Sequence, residues 1–394
     1  MKKIVAIKLI LLLLIGIGFT NCTDPYKMET NTFEDALVIE ATLTNIMQKQ
    51  KVKITRSYRL EDSAPVFEEG ADVYVTDSDG NQYNFVQDNN MYISTQAFQP
   101  VPGKNYELTI ITNDGKKYVS SKEILPASSP IQDVTASVQT IDGKRGVEIR
   151  AKSFDPSNSS RYYRFEYEET YKIVSPKWIP LKAIITGPES IEMVPRVGET
   201  RTCYSTDKST DILLLNTNET PEDRVDFPVR FISDQNYIIS HRYSILVHQY
   251  IHNLHAYNFY KALKTISDGS GNVLSPNQPG FLSGNLKCVS NPNEKVIGFF
   301  DVASVSSKRI FFDYTDFFPG IPLPPFKVNC NELSMDFCFQ PLNPFCDGPS
   351  VMAYLNTNLM AIYEYENAPV YIMVPTPCSD CTSFSSTVIP PFWQ

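Results

Sequence analysis

Residues 71–87 read "ADVYVTDSDGNQYNFVQ", a short alternating run that turns back on itself. Tyr74 lies on the opposite strand face from its two valine neighbours, because successive side chains alternate across an extended strand. The Asp79-Gly80 pair favours a tight turn, since glycine takes positive φ without steric cost. The stretch therefore predicts an antiparallel hairpin with one buried face.

The same pattern extends in both directions from this hairpin. Alternating runs predict strands at 36–44, 50–58, 71–77, 82–87, 91–95, 105–112 and 116–124. A second turn signal, Asp114-Gly115, separates the last two runs. Short strands at this spacing are typical of an immunoglobulin-like β-sandwich, so we assign 36–126 to a first sandwich domain.

A short linker, "PASSP" (126–130), precedes a second set of strands. These strands are predicted at 132–140, 145–153, 161–174, 242–252 and 295–314. The first two flank Asp142-Gly143, another hairpin signal. We assign 130–314 to a second sandwich, of the immunoglobulin or fibronectin type.

Three segments depart from the strand pattern. The region 175–240 is irregular and rich in proline, which predicts a long insertion. The run "NLHAYNFYKALKTIS" (253–267) predicts one helix, with Asn253 as its N-cap. Residues 315–394 are rich in cysteine and proline and should form a loop-rich C-terminal region. The expected fold class is therefore mostly β, with two immunoglobulin/fibronectin-like β-sandwiches.

The N-terminus has the pattern of an export signal. Three lysines precede an apolar run from Leu9 to Phe19, which is too short for a confident bilayer span. The run stops just before Cys22, as in bacterial lipoprotein signals, where cleavage precedes a cysteine whose thiol is then acylated. We predict a signal peptide at 1–21, lipid attachment at Cys22 and a tether at 22–35. The alternative is an ordinary secretory signal with an incidental cysteine.

Charge and composition exclude several classes of partner. The formal net charge of the chain is −9, and removal of the three N-terminal lysines takes it to −12. An acidic chain without a basic block is a poor binder of nucleic acid. It is also poorly suited to electrostatic docking on anionic membranes. We therefore expect no nucleic-acid partner, and membrane attachment only through the lipid anchor.

Cysteine is concentrated in the C-terminal half. An exported chain meets an oxidising compartment, so disulfides are expected there. The candidates are Cys203, Cys288, Cys330, Cys338, Cys346, Cys378 and Cys381. Seven is odd, so one thiol should remain free or pair in an unusual way. The Cys378/Cys381 C-x-x-C pair has no helical signal after it and no second such pair, which favours disulfides over a redox or zinc site.

The histidines are clustered but do not form a convincing metal motif. They are His241, His248, His252 and His255. On one helix the last three would share a face, but the first two of these fall in a predicted strand, and Gln249 stands where a zinc protease needs a glutamate. We expect partly exposed structural histidines, no metal and no cofactor. The sequence also lacks a nucleophile elbow, a P-loop and a dinucleotide fingerprint, so we expect no catalytic residues.

Several motifs together carry a family resemblance. They are "CTDPY" (22–26), "AYNFYKALKTI" (256–266), "SGN" (283–285), "VIGFFDVASVSSKRIFF" (296–312), "CSDC" (378–381) and "PPFW" (390–393). In this order they resemble a domain-of-unknown-function family (number 4249) of Bacteroidota-type outer-membrane lipoproteins. The resemblance covers nearly the whole mature chain. Ser379 departs from the pattern, because a further cysteine is common inside that C-x-x-C.

The resemblance implies a role beside a membrane barrel. Such lipoproteins are typically encoded next to SusC-like TonB-dependent receptors and resemble surface partners or lids of those barrels. We expect a non-catalytic subunit for substrate capture, on the outer membrane and facing the exterior because Asp24 closely follows the cysteine. The first alternative is a structural accessory subunit of a barrel-assembly or protein-export machine. A hydrolase with sandwich appendages is more remote, and the sequence names no ligand.

Overall fold

The computed structural model describes residues 36–57, 64–269, 282, 284–340, 345–367 and 370–393. Most regular structure in these ranges is β-strand, which confirms the predicted fold class. The signal peptide, Cys22 and the tether lie outside the described residues. No helix in the described ranges is both long enough and apolar enough to cross a bilayer.

The first sandwich contains a strand in each of the seven predicted runs. Its strands are β1 (Leu37–Thr44), β2 (Lys51–Arg56), β3 (Val66–Phe67), β4 (Asp72–Asp77), β5 (Gln82–Asp88), β6 (Met91–Ser94), β7 (Asn105–Ile111), β8 (Lys117–Ser120) and β9 (Glu123–Ile124). There are two differences: β3 was not predicted, and the run 116–124 is divided into β8 and β9. Their inward residues, among them Ile39, Val73, Leu108 and Tyr118, form one core. Gly80 takes a φ of +84° in the predicted hairpin turn between β4 and β5.

The second sandwich packs a three-stranded sheet against a longer one. Its elements are β10 (Asp133–Ile141), β11 (Lys144–Asp155), β12 (Tyr162–Val174), β13 (Leu181–Gly187), β14 (Ser190–Pro195), β15 (Thr202–Lys208), β16 (Leu213–Asn216), β17 (Asp223–Ser233), β18 (Tyr243–His252) and α1 (Leu254–Gly269). The order β10-β11-β17 faces a sheet in which β12 pairs with β15, β16 and β18. Inward side chains of both sheets, such as Ile149, Phe165 and Val247, form the second core.

Residues 175–240 are more regular than their composition indicates. β15 and β16 both pair with β12, and β17 pairs with β11, so these strands belong to the sandwich itself. Pro228 lies in β17 beside a register shift, and Pro195 ends β14, which are positions where proline is compatible with a sheet. Only the β13–β14 hairpin leaves the sandwich, and it is the true insertion.

One long strand joins the two sandwiches. After β19 (Leu286–Cys288), strand β20 (Val296–Phe312) pairs in parallel with β1 from Val296 to Ala303. Its remaining residues, from Ser304, pair antiparallel with β18. β19 pairs with β8, so 286–303 belong to the first sandwich, although sequence analysis assigned them to the second. The result is a single hydrogen-bonded sheet that runs through both sandwiches.

The C-terminal region is a small disulfide-linked module. The short helix α2 (Tyr314–Phe317) precedes it and packs in the second sandwich core through Tyr314. The elements of the module are β21 (Leu333–Asp336), α3 (Gly348–Asn356), β22 (Met360–Asn367), β23 (Val370–Pro375) and α4 (Thr376–Ser379). The sheet β21-β23-β22 and α3 enclose a separate core, against which Ile191 and Met193 of the β13–β14 hairpin pack. The region is therefore more ordered than the predicted loops.

Three disulfides link this module. Cys330 pairs with Cys378 and Cys338 with Cys346, both within the module. Cys203 of β15 pairs with Cys381, which ties the module to the second sandwich. Cys288 is the free thiol that the odd count predicts; it is buried on β19 in the first sandwich, far along the chain from the other pairs.

We predict that the disulfides that close the longest and the shortest loop differ in their effect on stability. Cross-links that close longer loops restrict the unfolded chain more, roughly 5 kcal/mol for the Cys203–Cys381 loop against roughly 2.5 kcal/mol for the Cys338–Cys346 loop. Replacing Cys203 and Cys381 by serine should therefore lower the midpoint of thermal unfolding more than replacing Cys338 and Cys346. An equal shift from both double variants would contradict this expectation.

We also predict that Gly298 is essential for the join between the sandwiches. Its φ is +124°, and a Cβ there would lie 1.9 Å from the carbonyl oxygen of Ile39 on β1. Gly298→Ala should therefore disrupt the parallel β1–β20 pairing and destabilise the chain well beyond backbone strain alone. Gly115→Ala is the matched control, because Gly115 has a φ of +80° with nothing within 4 Å of its Cβ position; it should cost about 1 kcal/mol. Similar denaturation midpoints for the two variants would contradict the close approach.

Candidate functional site

The shared sheet has a second face that points away from both cores. Phe300 and Val302 of β20 enter the first core, and Ile310 and Phe312 pack in the second. The even-numbered side chains therefore point inward in both halves of the strand. Odd-numbered residues of β20 consequently face outward along its whole length. Residues of neighbouring strands share this outer face at the same register: Arg164, Glu166 and Glu168 on β12, and His248, Tyr250 and His252 on β18.

Helix α1 covers one end of the outer face. The side chain of Asn253 accepts a hydrogen bond from the backbone N–H of Ala256 at 2.8 Å, which confirms the predicted N-cap. Phe259 packs on Phe299 of β20, with 5.3 Å between ring centroids. Tyr260 packs on His252 of β18 at 5.1 Å. The apolar stripe of the helix therefore lies on the sheet where the two sandwiches meet.

The C-terminal tail covers the other end. The N–H of Tyr204 on β15 donates to the carbonyl of Ser386 at 2.7 Å, so the tail runs beside the edge strand. The guanidinium of Arg309 lies 3.5 Å from the ring centroid of Phe392. Trp393 contacts Tyr204 edge to face at 5.1 Å between centroids. The terminal "PPFW" run is thus packed against the outer face of the second sandwich.

Between helix and tail the outer face is open as a groove, which we call the seam groove. It consists of two cavities of about 500 and 580 Å³ that share Lys51 and Glu166. The first lies along α1, and its apolar lining includes Val38, Met91, Phe259, Leu263, Ile297 and Phe299. The second is polar, and its lining includes Gln48, Glu168, Lys208, Ser209, His248, Tyr250 and Ser307. Residues from both sandwiches therefore build one site.

A buried charge network forms the floor beside the first cavity. His252 Nδ1 lies 2.7 Å from Asp301 Oδ2, and both side chains are fully buried. Arg164 Nε donates to His252 Nε2 at 3.2 Å, and Arg164 also pairs with Glu166. Arginine has no acceptor, so His252 Nε2 must accept and its proton must sit on Nδ1, pointing at Asp301. The network is therefore a cation, a neutral imidazole and a carboxylate in series.

Two tyrosines hold the guanidinium of this network. Its carbon lies 4.4 Å from the ring centroid of Tyr250 and 4.5 Å from that of Tyr260, on β18 and α1 respectively. Burial acts to lower the pKa of Arg164, but the neighbouring tyrosines and Glu166 outweigh burial and hold this pKa above its ordinary value. Burial also raises the pKa of both tyrosines, which stay neutral. Arg164 is thus a fixed positive charge beside the groove.

The polar cavity contains a second histidine with a different partner. His248 Nδ1 lies 2.6 Å from the hydroxyl of Ser307. Burial lowers the pKa of His248, so its imidazole is neutral at pH 7. A Ser–His–acid triad also needs a carboxylate on the second ring nitrogen, and no such hydrogen bond is found among the described residues. The pair is suited to hydrogen bonding with a ligand rather than to activating a nucleophile.

None of the cysteines predicted as site residues from the sequence lines the seam groove in the described part of the chain. Cys22 lies outside the described residues, and the disulfide cysteines lie in β15 and the C-terminal module. The expectation of partly exposed histidines was wrong for His252, which is 2% exposed. No group of three or more potential metal-ligating His, Cys, Asp or Glu side chains occurs in the described part of the chain.

Sequence reasoning missed Arg164 and Asp301 as functional residues. A signal was present for Arg164, because charged residues alternate with aromatic residues along β12. The charged residues therefore share the strand face opposite the core, where Arg164 needs other partners. Asp301 interrupts an otherwise apolar half of β20, and a buried carboxylate in such a run requires a partner. The partner could not be identified locally, because His252 lies 49 residues away along the chain.

We predict that the buried network is sensitive to the loss of a single partner. Asp301→Ala leaves the buried Nδ1–H of His252 without its carboxylate, which should cost about 3 kcal/mol of unfolding free energy. Asp301→Asn keeps an acceptor and should cost clearly less. Glu168→Ala is the control, because its pair with Lys208 is solvent-exposed and should contribute less than about 1 kcal/mol. Urea denaturation measures all three, and equal losses for the alanine variants would contradict the network.

Comparison with known protein families gives a match that spans both sandwiches. The model described as "Domain of unknown function (DUF4249)" matches residues 23–309. The match contains both sandwiches, helix α1 and nearly all of β20, and it ends before the C-terminal module. No curated protein matches the sequence. Since the match covers well over half of the chain, this protein belongs to the DUF4249 family.

Proposed function

We propose that this protein is a non-catalytic binding lipoprotein of the outer membrane that works with a β-barrel transporter of the SusC-like, TonB-dependent type. The observation that carries the binding role is the seam groove. It is concave, largely apolar at one end and lined by a few fixed polar groups at the other, which is the usual composition of a ligand site. Neither cavity brings a nucleophile, base and orienting acid together among the described residues, which favours binding over catalysis.

The anchor would hold this groove close to the membrane. The lipoprotein-like signal ends at Cys22, and β1 begins at Leu37. Even fully extended, a chain from Cys22 to Leu37 reaches at most about 50 Å. Val38, one residue into β1, already lines the groove. An anchored molecule would therefore present the groove within a short distance of any barrel in the same membrane, where confinement raises the effective concentration.

The β13–β14 hairpin and the C-terminal module supply the surface that we assign to the barrel. The hairpin and the sheet β21-β23-β22 share a core that is separate from both sandwich cores, and the hairpin packs on it through Ala183, Ile191 and Met193. Apolar side chains project from this part of the chain: Val197 is 90% exposed and Leu359 is 62% exposed. Disulfides fix its shape, which lowers the entropy lost on docking.

The first alternative is an accessory subunit of a barrel-assembly or export machine, and it would use the same module. It differs in needing no small ligand, so the seam groove would have no role. The size and mixed lining of the groove therefore favour the transporter partner. A hydrolase is the most remote reading, because the His248–Ser307 pair lacks an orienting carboxylate among the described residues.

The test is co-purification of the tagged full chain from native membranes in mild detergent, after crosslinking. We expect a stoichiometric β-barrel receptor with the wild type. Replacing 182–194 by a short Gly-Ser turn should keep both sandwiches folded and reduce barrel recovery strongly, whereas Lys144→Met, on the distant and exposed β10–β11 hairpin, should leave recovery unchanged. Cys22→Ser should lose detergent-phase partitioning.

Three results would contradict the proposal in separable ways. Recovery of no barrel protein from the wild type would reject the obligate transporter partner. Recovery of barrel-assembly components instead would favour the accessory-subunit alternative. Retention of Cys22→Ser in the detergent phase after removal of all partners would reject the lipid anchor.

A further inference from the structure

We propose that the seam groove binds the C-terminal end of a peptide whose last residue is apolar. This inference rests on the proposed binding role and names the ligand class. Three features of the groove meet at one point, and each matches one of the three groups that diverge from the last Cα of such a peptide: the side chain, the α-carboxylate and the preceding main chain.

The first feature is the apolar cavity beside α1. Phe259 and Leu263 form its helix wall, and Phe299 forms part of its sheet wall. Its volume of about 500 Å³ exceeds that of any single side chain, so it accepts a Leu, Met or Phe without rearrangement. The Phe259–Phe299 contact fixes the two walls relative to one another. An apolar group gains free energy in this cavity in proportion to the area removed from water.

The second feature is a lysine at the point where the two cavities meet. Each other cationic side chain in the groove has a carboxylate partner: Lys53 has Glu40 at 2.8 Å, Lys208 has Glu168 at 3.0 Å, and Arg164 has Glu166. Lys51 also lines both cavities, but none of the described residues forms a salt bridge with it. The ammonium group of Lys51 therefore suits a ligand that carries one negative charge, such as a carboxylate.

The third feature is the hydrogen-bonding lining of the polar cavity. The Ser209 hydroxyl accepts from the N–H of Tyr167 and keeps its own O–H to donate. Neutral His248 uses Nδ1 for Ser307, which leaves Nε2 for a ligand. Gln48 lies along the same cavity. Donors and acceptors in sequence along a groove suit a main chain, which presents both kinds of group at each residue.

The arrangement disfavours two other ligands of a surface binding protein. A fatty acid would fill the apolar cavity and reach Lys51, but it would leave the polar cavity without partners. A neutral oligosaccharide would suit the polar cavity, but it has no charge for Lys51 and no apolar group for the cavity beside α1. Both remain useful as probes, because each engages one part of the groove.

The experiment is calorimetric titration of the purified full chain in mild detergent with the hexapeptide Ser-Gly-Ser-Gly-Ser-Phe. We expect the free acid to bind at least tenfold more tightly than its C-terminal amide, since one charged hydrogen bond is being removed. In Lys51→Met the same comparison should differ less than twofold. Lys144→Met, at an exposed lysine that lines neither cavity, should behave as the wild type. Leu263→Ser should weaken both peptides and leave their ratio unchanged.

Several outcomes would overturn the inference. These are equal affinity for acid and amide in the wild type, an undiminished acid preference in Lys51→Met, no binding of either peptide, or tighter binding of octanoate or maltohexaose than of the peptide. Failure here is distinguishable from failure of the proposed function. A wild type that captures the barrel but binds no peptide rejects only the ligand class, and one that binds the peptide but captures no barrel rejects only the transporter partner.

Discussion

Strand β20 hydrogen-bonds to both sandwiches, and the rest of the site depends on that shared strand. Its first eight residues pair in parallel with β1, and the residues from Ser304 pair antiparallel with β18. A hinge between the sandwiches would have to break ladder hydrogen bonds in the middle of a sheet, and buried backbone groups left without partners are costly. The parallel contact is possible because Gly298 has no side chain to collide with the backbone of Ile39.

The shared sheet explains why charge can be buried where two domains meet. Arg164 lies on β12, His252 on β18 and Asp301 on β20, and adjacent strands bring them into one line. A buried Asp301 or Arg164 would be expensive without partners, but here Asp301 Oδ2 accepts from His252 and Arg164 Nε donates to the other ring nitrogen. The tyrosines that flank Arg164 come from β18 and α1, so the helix packs directly on this network. The network thus fixes the position of the helix that forms one wall of the groove.

Much of the fold could be predicted from the sequence, because its signals are local. Alternation located strands β1, β2 and β4 to β8 closely but missed the two-residue β3. The Asp-Gly pairs marked three hairpin turns, and Asn253 marked the start of α1. The join could not be predicted, because Leu37 and Val296 pair across some 260 residues and nothing local specifies that contact. Disulfide pairing was open for the same reason, since Cys203 and Cys381 are 178 residues apart. The groove is formed by strands that are far apart along the chain, so the sequence showed its residues only as polar positions on strands without an evident partner.

The most direct test of the rigid join is a distance measurement between the two sandwiches in solution. Spin labels at Val86→Cys on β5 and Lys144→Cys after the β10–β11 turn would report it by pulsed electron spin resonance, since both positions are exposed and Cys288, the free cysteine of the described ranges, is buried. A shared strand predicts a single narrow distance distribution that does not change when the hexapeptide is added. A broad or two-peaked distribution would contradict the claim that β20 holds both sandwiches in one sheet.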